Sequence, residues 1–500
     1  MKVVLVNTPI ADKPRYDFRI NEYLLMPLGM LSVATTLQEH GHEVKIIDAY
    51  VERLSVDAMV KRIFAETPDL VGVGVLTPSY PMANELILKI AANKKKNSPI
   101  IVVGGPHATL LPETLARNLP IDFLIKGEAE NPFTQLTVAI ENSDDFSQIP
   151  GIYFRKNGRI QKGPENKCLQ DLNALPPLDH SLLDMDLYRA PLQWSHPSKT
   201  YNIMTTRGCP FDCPYCANKK LREDVSFYSI ERIHREIETL ISKYDCRRIM
   251  IYDSVFPSNR KKGLEFLRMM IESGYNRSVN WFFQTRVELL DKELVALAQK
   301  AGCSRISLGI ESGVSDILRS INKTFSPEEA IRVSKTIRKC GICVSANFMF
   351  GHIGDTSETM ERTSRLSRAM DLDEATFYLL TPYPGTKTLE LAKKNHEVLS
   401  HDWDDYLKSG KFSDQKVAFV PRGLSAKQLL NARRSAFLRF YLRPKIIWRD
   451  FVRMGPYYFS LRYLLKISTF FYDILSHLFN NESKAREGRK EDYDDAVRNR

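Results

Sequence analysis

The chain has 500 residues, 43% hydrophobic and 26% charged, an ordinary globular balance and too much sequence for one small core. Its eight cysteines make no disulfide framework over this length, and no apolar run is long enough for a membrane-spanning helix. The net charge of +11 is concentrated, because residues 421–480 hold eleven Lys and Arg against two Asp.

Residues 1 to about 140 alternate strand and helix. Val3–Val6 reads as a buried strand, its apolar run too short for a signal peptide. A helix follows over Leu28–His40 and stops at Gly41, and then a strand over Val44–Ile47 ends on Asp48. Helices over Val56–Glu66 and Asn84–Lys94 separate strands at Leu70–Leu76, Ile100–Val103 and Ile121–Ile125. Short apolar strands spaced by helices predict a doubly wound parallel sheet of Rossmann or flavodoxin type, which binds ligands at the carboxyl ends of its strands. The segments at those ends are Asn7-Thr8-Pro9, Thr77-Pro78-Ser79, Gly104-Gly105-Pro106-His107 and Gly127-Glu128-Ala129-Glu130. Their small residues let a flat ligand approach the backbone.

Between residues 146 and 195 the alternation breaks. Gly151–Ile160 reads as a hairpin turning at Asn157-Gly158, and Leu175-Pro176-Pro177 stiffens a linker. Six further strands follow: Tyr201–Thr206, Arg248–Tyr252, Asn280–Gln284, Arg305–Gly309, Val344–Phe350 and Ala375–Leu380. The helices between them begin near Ser229, Arg260, Asp291, Val314, Ser326 and Asp355, with Ser229, Asp291 and Ser326-Pro327 as recognisable caps. Six β/α units predict an open, partial barrel over 196–415, with function at the carboxyl ends of the strands. Residues 416–480 read as basic, aromatic helices, and 481–500 as a charge-balanced tail expected to be disordered. Such helices can pack on the barrel as a lid, lie on an anionic membrane surface, or grip nucleic acid. No groove-reading motif accompanies the charge, so nucleic acid is not an expected partner.

The first barrel strand delivers Gly208-Cys209-Pro210-Phe211-Asp212-Cys213-Pro214-Tyr215-Cys216, a C-x3-C-x2-C run. Three thiolates at this spacing suit three irons of a [4Fe–4S] cluster and leave the fourth iron open. A zinc knuckle is the alternative, but it wants a fourth Cys or His nearby, and His234 lies in a predicted helix. Cys340-Gly341-Ile342-Cys343 spans a helix end and the next strand, where packing cysteines are the better account, as for Cys303, Cys168 and Cys246.

C-x3-C-x2-C with Tyr215 before the last cysteine resembles the signature of the radical S-adenosylmethionine (SAM) superfamily. The domain order and strand-end segments resemble its cobalamin-binding branch, including the class B methyltransferases. The resemblance implies a [4Fe–4S] cluster on Cys209, Cys213 and Cys216, whose open iron chelates SAM. Reduction then yields a 5′-deoxyadenosyl radical that takes hydrogen from an unactivated carbon. It implies SAM contacts from Tyr215, Ser254, Gln284, Arg286, Glu311, Ser312 and Gly351. Read on the residues alone, Arg286 can instead pair with Glu288, and Glu311 can cap the next helix. Cobalamin contacts are implied at Thr77, Ser79, Gly104, Gly105, His107, Gly127, Glu128 and Glu130. The usual Asp-x-His-x-x-Gly is absent, so no histidine ligand to cobalt is expected, although His107 can lie near the corrin. The domain can equally bind another ligand, or none.

The expected reaction is cobalamin-dependent methylation of a small or lipid-like substrate. Ring formation, ring contraction or carbon oxidation within the same family is the alternative, and a non-catalytic cobalamin or redox sensor a distant third. A flavodoxin or ferredoxin is the expected electron donor, and a reducing cytoplasm, with peripheral membrane contact through 421–480, the expected location.

Overall fold

The computed structural model describes residues 1–10, 24–93, 98–189, 198–395, 397–399 and 417–452, together with 455 and 459. The expected tail at 481–500 and nearly all of the aromatic stretch beyond 452 lie outside the described residues.

The first sheet is parallel over β1 (Lys2–Asn7), β2 (Glu43–Asp48), β3 (Leu70–Gly74), β4 (Ile100–Gly104) and β5 (Phe123–Ile125), in the order β2-β1-β3-β4-β5. Strand alternation sends successive residues to opposite faces. Val3, Leu5, Leu70, Val102 and Phe123 pack beneath helices Leu28–Glu39 and Glu130–Asn142. Val4, Val6, Val71, Val73 and Ile101 pack beneath helices Val56–Ala65 and Tyr80–Ala92. The expected doubly wound sheet is present.

Two features differ from the sequence reading. The hairpin, β6 (Ile152–Lys156) and β7 (Arg159–Lys162), pairs antiparallel with β5, so the first sheet continues past residue 145 into the segment read as linker. Short helices Pro106–Leu110 and Pro112–Asn118 also follow β4, the first where Gly104-Gly105-Pro106-His107 read as a strand-end turn and the second in a stretch given no element, because each proline occupies the first helical position, where its missing N–H costs nothing.

The second sheet begins with β8 (Thr200–Ile203). A two-stranded ribbon of β9 (Thr206–Arg207) and β10 (Ser226–Phe227) interrupts it before β11 (Arg248–Ile251), β12 (Asn280–Thr285), β13 (Cys303–Glu311), β14 (Cys343–Phe350) and β15 (Glu374–Leu379). Its order is β15-β14-β13-β12-β11-β8, parallel throughout, the open barrel of six units. The three expected caps are made: Ser229 Oγ accepts from Arg232 N at 3.2 Å, Asp291 Oδ1 from Leu294 N at 2.8 Å, and Ser326 Oγ from Glu329 N at 3.2 Å.

Helix Ala426–Tyr441 covers β15, the free edge of this sheet. Tyr441 Oη donates to Ala375 O at 2.9 Å and accepts from Ala375 N at 3.3 Å, satisfying edge backbone that would otherwise pair with another strand. Four basic residues here are committed to the barrel. Arg439 pairs with Glu361 at 2.8 Å, Lys445 and Arg449 pair with Asp371 at 3.1 and 2.8 Å, and Arg443 donates to Arg368 O at 2.9 Å.

The two domains share one core. Leu31 and Leu37 from the first, Leu183 and Tyr188 from the linker, and Tyr201 and Ile237 from the barrel belong to a single buried cluster. Asn202 on β8 clamps the Met26 backbone, accepting from its N–H at 2.8 Å and donating to its carbonyl at 3.0 Å. Among the described residues no helix is long and apolar enough to cross a membrane.

Candidate functional site

The cysteine loop leaves β8 under tight control. Asp253, at the end of β11, accepts from Thr205 N at 2.7 Å and Thr206 N at 3.2 Å, and also from Thr205 Oγ1. Burial pushes its carboxyl up to about 6, partly offset by those donors. Gly208 has φ +97°, and a Cβ there would lie 2.1 Å from Asp224 O, so only glycine fits before Cys209. The far side is held by Asn322 Nδ2 on Asp212 O at 2.5 Å, Lys387 Nζ on Asp212 Oδ2 at 2.6 Å and Thr388 N on Pro214 O at 3.0 Å.

Arg286, at the end of β12, is buried against this loop. Its guanidinium stacks 3.8 Å over the Phe211 ring and donates to Cys213 Sγ at 3.4 Å, Asn322 O at 2.7 Å and Glu288 Oε1 at 2.7 Å. The guanidinium is thus directed at a cysteine sulfur and at Glu288, the pairing open on the residues alone. Glu311 follows a bulge in β13, with φ 69°, a left-handed backbone rare for a residue with a Cβ. Burial raises its carboxyl, while Lys323, 3.8 Å away, and the Tyr215 hydroxyl oppose that rise. Burial and Glu311 together raise the Tyr215 phenol.

The remaining expected SAM contacts divide. Ser254 and Gln284 are exposed at the barrel mouth. Ser312 Oγ lies 3.3 Å from Thr363 Oγ1 and accepts from Val314 N at 3.2 Å, a local cap. A Cβ on Gly351 would meet Leu429 of helix Ala426–Tyr441 at 3.3 Å, so that helix covers this glycine. Beside it His352 is buried edge-on to Tyr215, ring centroids 5.8 Å apart; burial lowers its pKa to about 4, and its Nε2 has no hydrogen-bond partner among the described residues. The sequence reading passed over His352 and Lys323. Position after a strand marked His352, whereas no local pattern marks Lys323.

At the carboxyl edge of the first sheet the side chains largely bond one another. Thr77 Oγ1 lies 3.0 Å from His107 Nδ1, Thr8 Oγ1 donates to Ser79 Oγ at 3.1 Å, and Asn7 Nδ2 donates to Asp48 Oδ1 at 2.8 Å. His107 is buried, which lowers its pKa to about 4. Gly104 leaves ordinary space above β4, but a Cβ on Gly105 would press on Val75 N and O at 2.9 Å, and one on Gly127 on Asn166 Nδ2 at 3.0 Å. Glu128 and Glu130 turn to the barrel domain. Glu128 pairs with Arg207 at 3.1 Å and closely with Arg222, and Glu130 with Arg207 at 2.8 Å.

The three cysteines fit a cluster. Cys209 is buried with Cys213 and Cys216 half-buried beside it, and burial raises the Cys209 and Cys216 thiols, an opposition that bonding to iron overcomes. Among the described residues no three His, Cys, Asp or Glu side chains, these cysteines included, converge on a point that would seat a single metal ion; a cluster instead takes one sulfur per iron, so its three sulfurs need not converge. No disulfide joins the eight cysteines. Cys246 and Cys303 donate to the carbonyls of Arg248 and Arg305, both at 3.3 Å, and burial raises both thiols, Cys246 to about 12, as packing cysteines require.

Residues 203–366 match the radical SAM superfamily model and residues 21–137 the B12 binding domain model. The chain is 30% identical to an uncharacterised methyltransferase of Pyrococcus horikoshii, over 90% of this chain and 94% of that one. It is 28% identical to the anaerobic magnesium-protoporphyrin IX monomethyl ester cyclase of Cereibacter sphaeroides, over 88% of this chain and 70% of that one. Its fold is similar to that of the radical SAM methyltransferase TsrM of Kitasatospora setae, solved with cobalamin and a [4Fe–4S] cluster, with a TM-score of 0.67 and 18% identity over 89% of each chain. With the cysteine loop at the mouth of a six-unit barrel and a B12-type sheet docked against it, the chain belongs to the cobalamin-binding radical SAM enzymes, whose cofactors are a [4Fe–4S] cluster, SAM and cobalamin.

Proposed function

We propose that this enzyme methylates an unactivated carbon of an apolar, ring-containing small molecule. One observation carries the reading: the carboxyl edge of the B12-type sheet lies against the cysteine loop. Helix Pro106–Leu110, which carries His107, packs on helix Asn218–Leu221 directly after Cys216, and Leu110 fills the space over Gly385. A methyl donor on one domain then faces a hydrogen-abstracting centre on the other. When bound, the cluster supplies the electron that cleaves SAM, and cobalamin supplies the methyl group.

The chain's own residues supply placement and shielding. Cys209, Cys213 and Cys216 would hold three irons, and Arg286 donates to the Cys213 sulfur. Glu311, Lys323 and Tyr215 offer opposed charges and a hydroxyl for the amino and carboxylate groups of SAM. The continuous core between the domains keeps water from the reacting centre. Strand alternation turns Phe282, Gln284, Asn347 and Met349 away from the helix layer and into the barrel, a mixed lining suited to a flat apolar molecule with a few polar groups.

Anaerobically reconstituted enzyme, given SAM labelled in its methyl group and an extract from a strain lacking this protein, should transfer label into an organic product. The 28% identity to a ring-forming cyclase favours ring closure as the second reading. It predicts 5′-deoxyadenosine and a product lighter by two hydrogens, without label. A sensor would give neither. A flavodoxin or ferredoxin is proposed as the electron source, tested by replacing dithionite with either carrier. The exposed Leu442, Trp448 and Val452 support peripheral membrane contact, tested by flotation with anionic vesicles.

A further inference from the structure

The Gly127-Glu128-Ala129-Glu130 segment and the two arginines bracketing the cysteine loop form one network of four charges, Glu130 and Arg222 buried and Arg207 and Glu128 largely so. Arg207 immediately precedes Gly208-Cys209, and Arg222 follows the loop, its Cδ lying 3.3 Å from where a Cβ on Gly208 would be. Arg207 reaches across the domain boundary to three groups: Glu128 Oε1 at 3.1 Å, Glu130 Oε1 at 2.8 Å and Ser32 Oγ at 3.2 Å. Ser32, on helix Leu28–Glu39, donates in turn to Glu130 Oε1 at 2.7 Å. Glu128 also accepts from Leu169 N at 2.6 Å, and Arg222 donates to Leu169 O at 2.6 Å and Ser226 Oγ at 2.7 Å. Burial by itself would raise the Glu130 carboxyl, but Arg207 and Ser32 outweigh it and hold it below the ordinary carboxylate range.

Two positive and two negative groups balance, and the side chains of Arg207, Glu130 and Arg222 are 11%, 6% and 8% exposed. Buried ion pairs of this kind add little net stability over apolar packing; what they fix is which surfaces meet and in what register. Here the surfaces are the last strand-end loop of the B12-type sheet and the first cysteine of the cluster loop.

We propose that Arg207 is a positioning residue, which locks the cluster loop to the strand-end loop Gly127–Glu130 and so fixes the separation of the two cofactor sites. The lock rests on this chain's own side chains and is complete before either cofactor binds. Only its consequence for coupling rests on the methyl-transfer reading.

The test compares the full-length protein with Arg207→Gln, Arg207→Lys and the double variant Arg207→Gln/Glu130→Gln. Hydrogen exchange needs no cofactor. Arg207→Gln should speed exchange about tenfold in peptides covering 127–133 and 207–216 while peptides from helices Arg260–Glu272 and Pro327–Lys339 stay unchanged. The double variant, which removes one charge of each sign, should return both loops to within about threefold of the parent. Arg207→Lys, which keeps the charge but loses the planar fork, should fall between. After reconstitution with iron, sulfide and cobalamin, the Arg207→Gln cluster should keep its iron content while its magnetic interaction with cob(II)alamin weakens. Unchanged exchange and unchanged magnetic interaction in Arg207→Gln would overturn the proposal, as would faster exchange throughout the protein that the double variant fails to rescue. A parent protein that transfers no methyl group overturns the proposed function and leaves the exchange result standing.

Discussion

Loops at the carboxyl ends of the two parallel sheets differ in what their side chains do. At the first sheet Thr77 lies against His107, Thr8 binds Ser79, Asn7 binds Asp48, and Glu128 and Glu130 face arginines across the domain boundary. At the barrel, Arg286 turns to the cysteine loop, and Glu311, Lys323 and His352 gather beside Tyr215 of that loop. Among the described residues, then, the side chains at the first edge are taken up by one another and by the barrel domain, whereas those at the second gather charge beside sulfur. The same topological rule places both sites, but it does not say which side chains remain available there.

Four measurements bear on that contrast, from the largest effect to the smallest. Cys209→Ala should abolish the cluster, read as loss of the brown absorbance and of all SAM cleavage, while Cys340→Ser should leave both intact, since Cys340 caps helix Pro327–Lys339 away from the loop. The second concerns the self-satisfied sheet. Unfolded His107 takes up a proton below about pH 6.5, whereas the folded residue refuses it until about 4, so stability falls as pH drops through that window. His107→Gln should shrink the acid-induced loss between pH 6.5 and 4 by about 3 kcal/mol, measured by denaturant unfolding. At the barrel, Arg286→Gln removes a positive donor from a ligand sulfur and disfavours the reduced cluster. Its midpoint potential should fall by roughly the one-electron tenfold step, about 59 mV, in an EPR-monitored titration. Finally, Tyr441→Phe strips the hydroxyl from edge strand β15 and should cost about 1 kcal/mol in thermal unfolding, with no change in cluster content.

Much of this architecture was legible residue by residue. The unbroken apolar runs of Val3–Val6 and Leu70–Leu76 marked the first sheet, and Ser229, Asp291 and Ser326 marked helix starts that the structure repeats. The cysteine spacing marked the loop because three thiolates within eight residues serve few other purposes. Partnership was not legible. The family resemblance implied Glu128 and Glu130 as cobalamin contacts, but nothing local marked their ion-pair partner: Arg207 lies more than seventy residues away, and only the docking of two domains brings them together. A lid on the barrel was the first reading of the Lys- and Arg-rich helices after 421, and helix Ala426–Tyr441 packs there, but the pairs themselves were not legible: Glu361 and Asp371, which hold Arg439, Lys445 and Arg449, sit in a separate stretch of sequence. The hairpin was seen, but its pairing with β5 depends on a long-range strand register that composition does not encode.

Leu31, Leu37, Leu183, Tyr188, Tyr201 and Ile237 form an unbroken greasy seam between the halves. Cutting the chain near residue 190 would tear that seam open and expose an apolar wall on each fragment. Neither fragment is therefore a free-standing building block, and heat or denaturant should melt the two halves together in one transition.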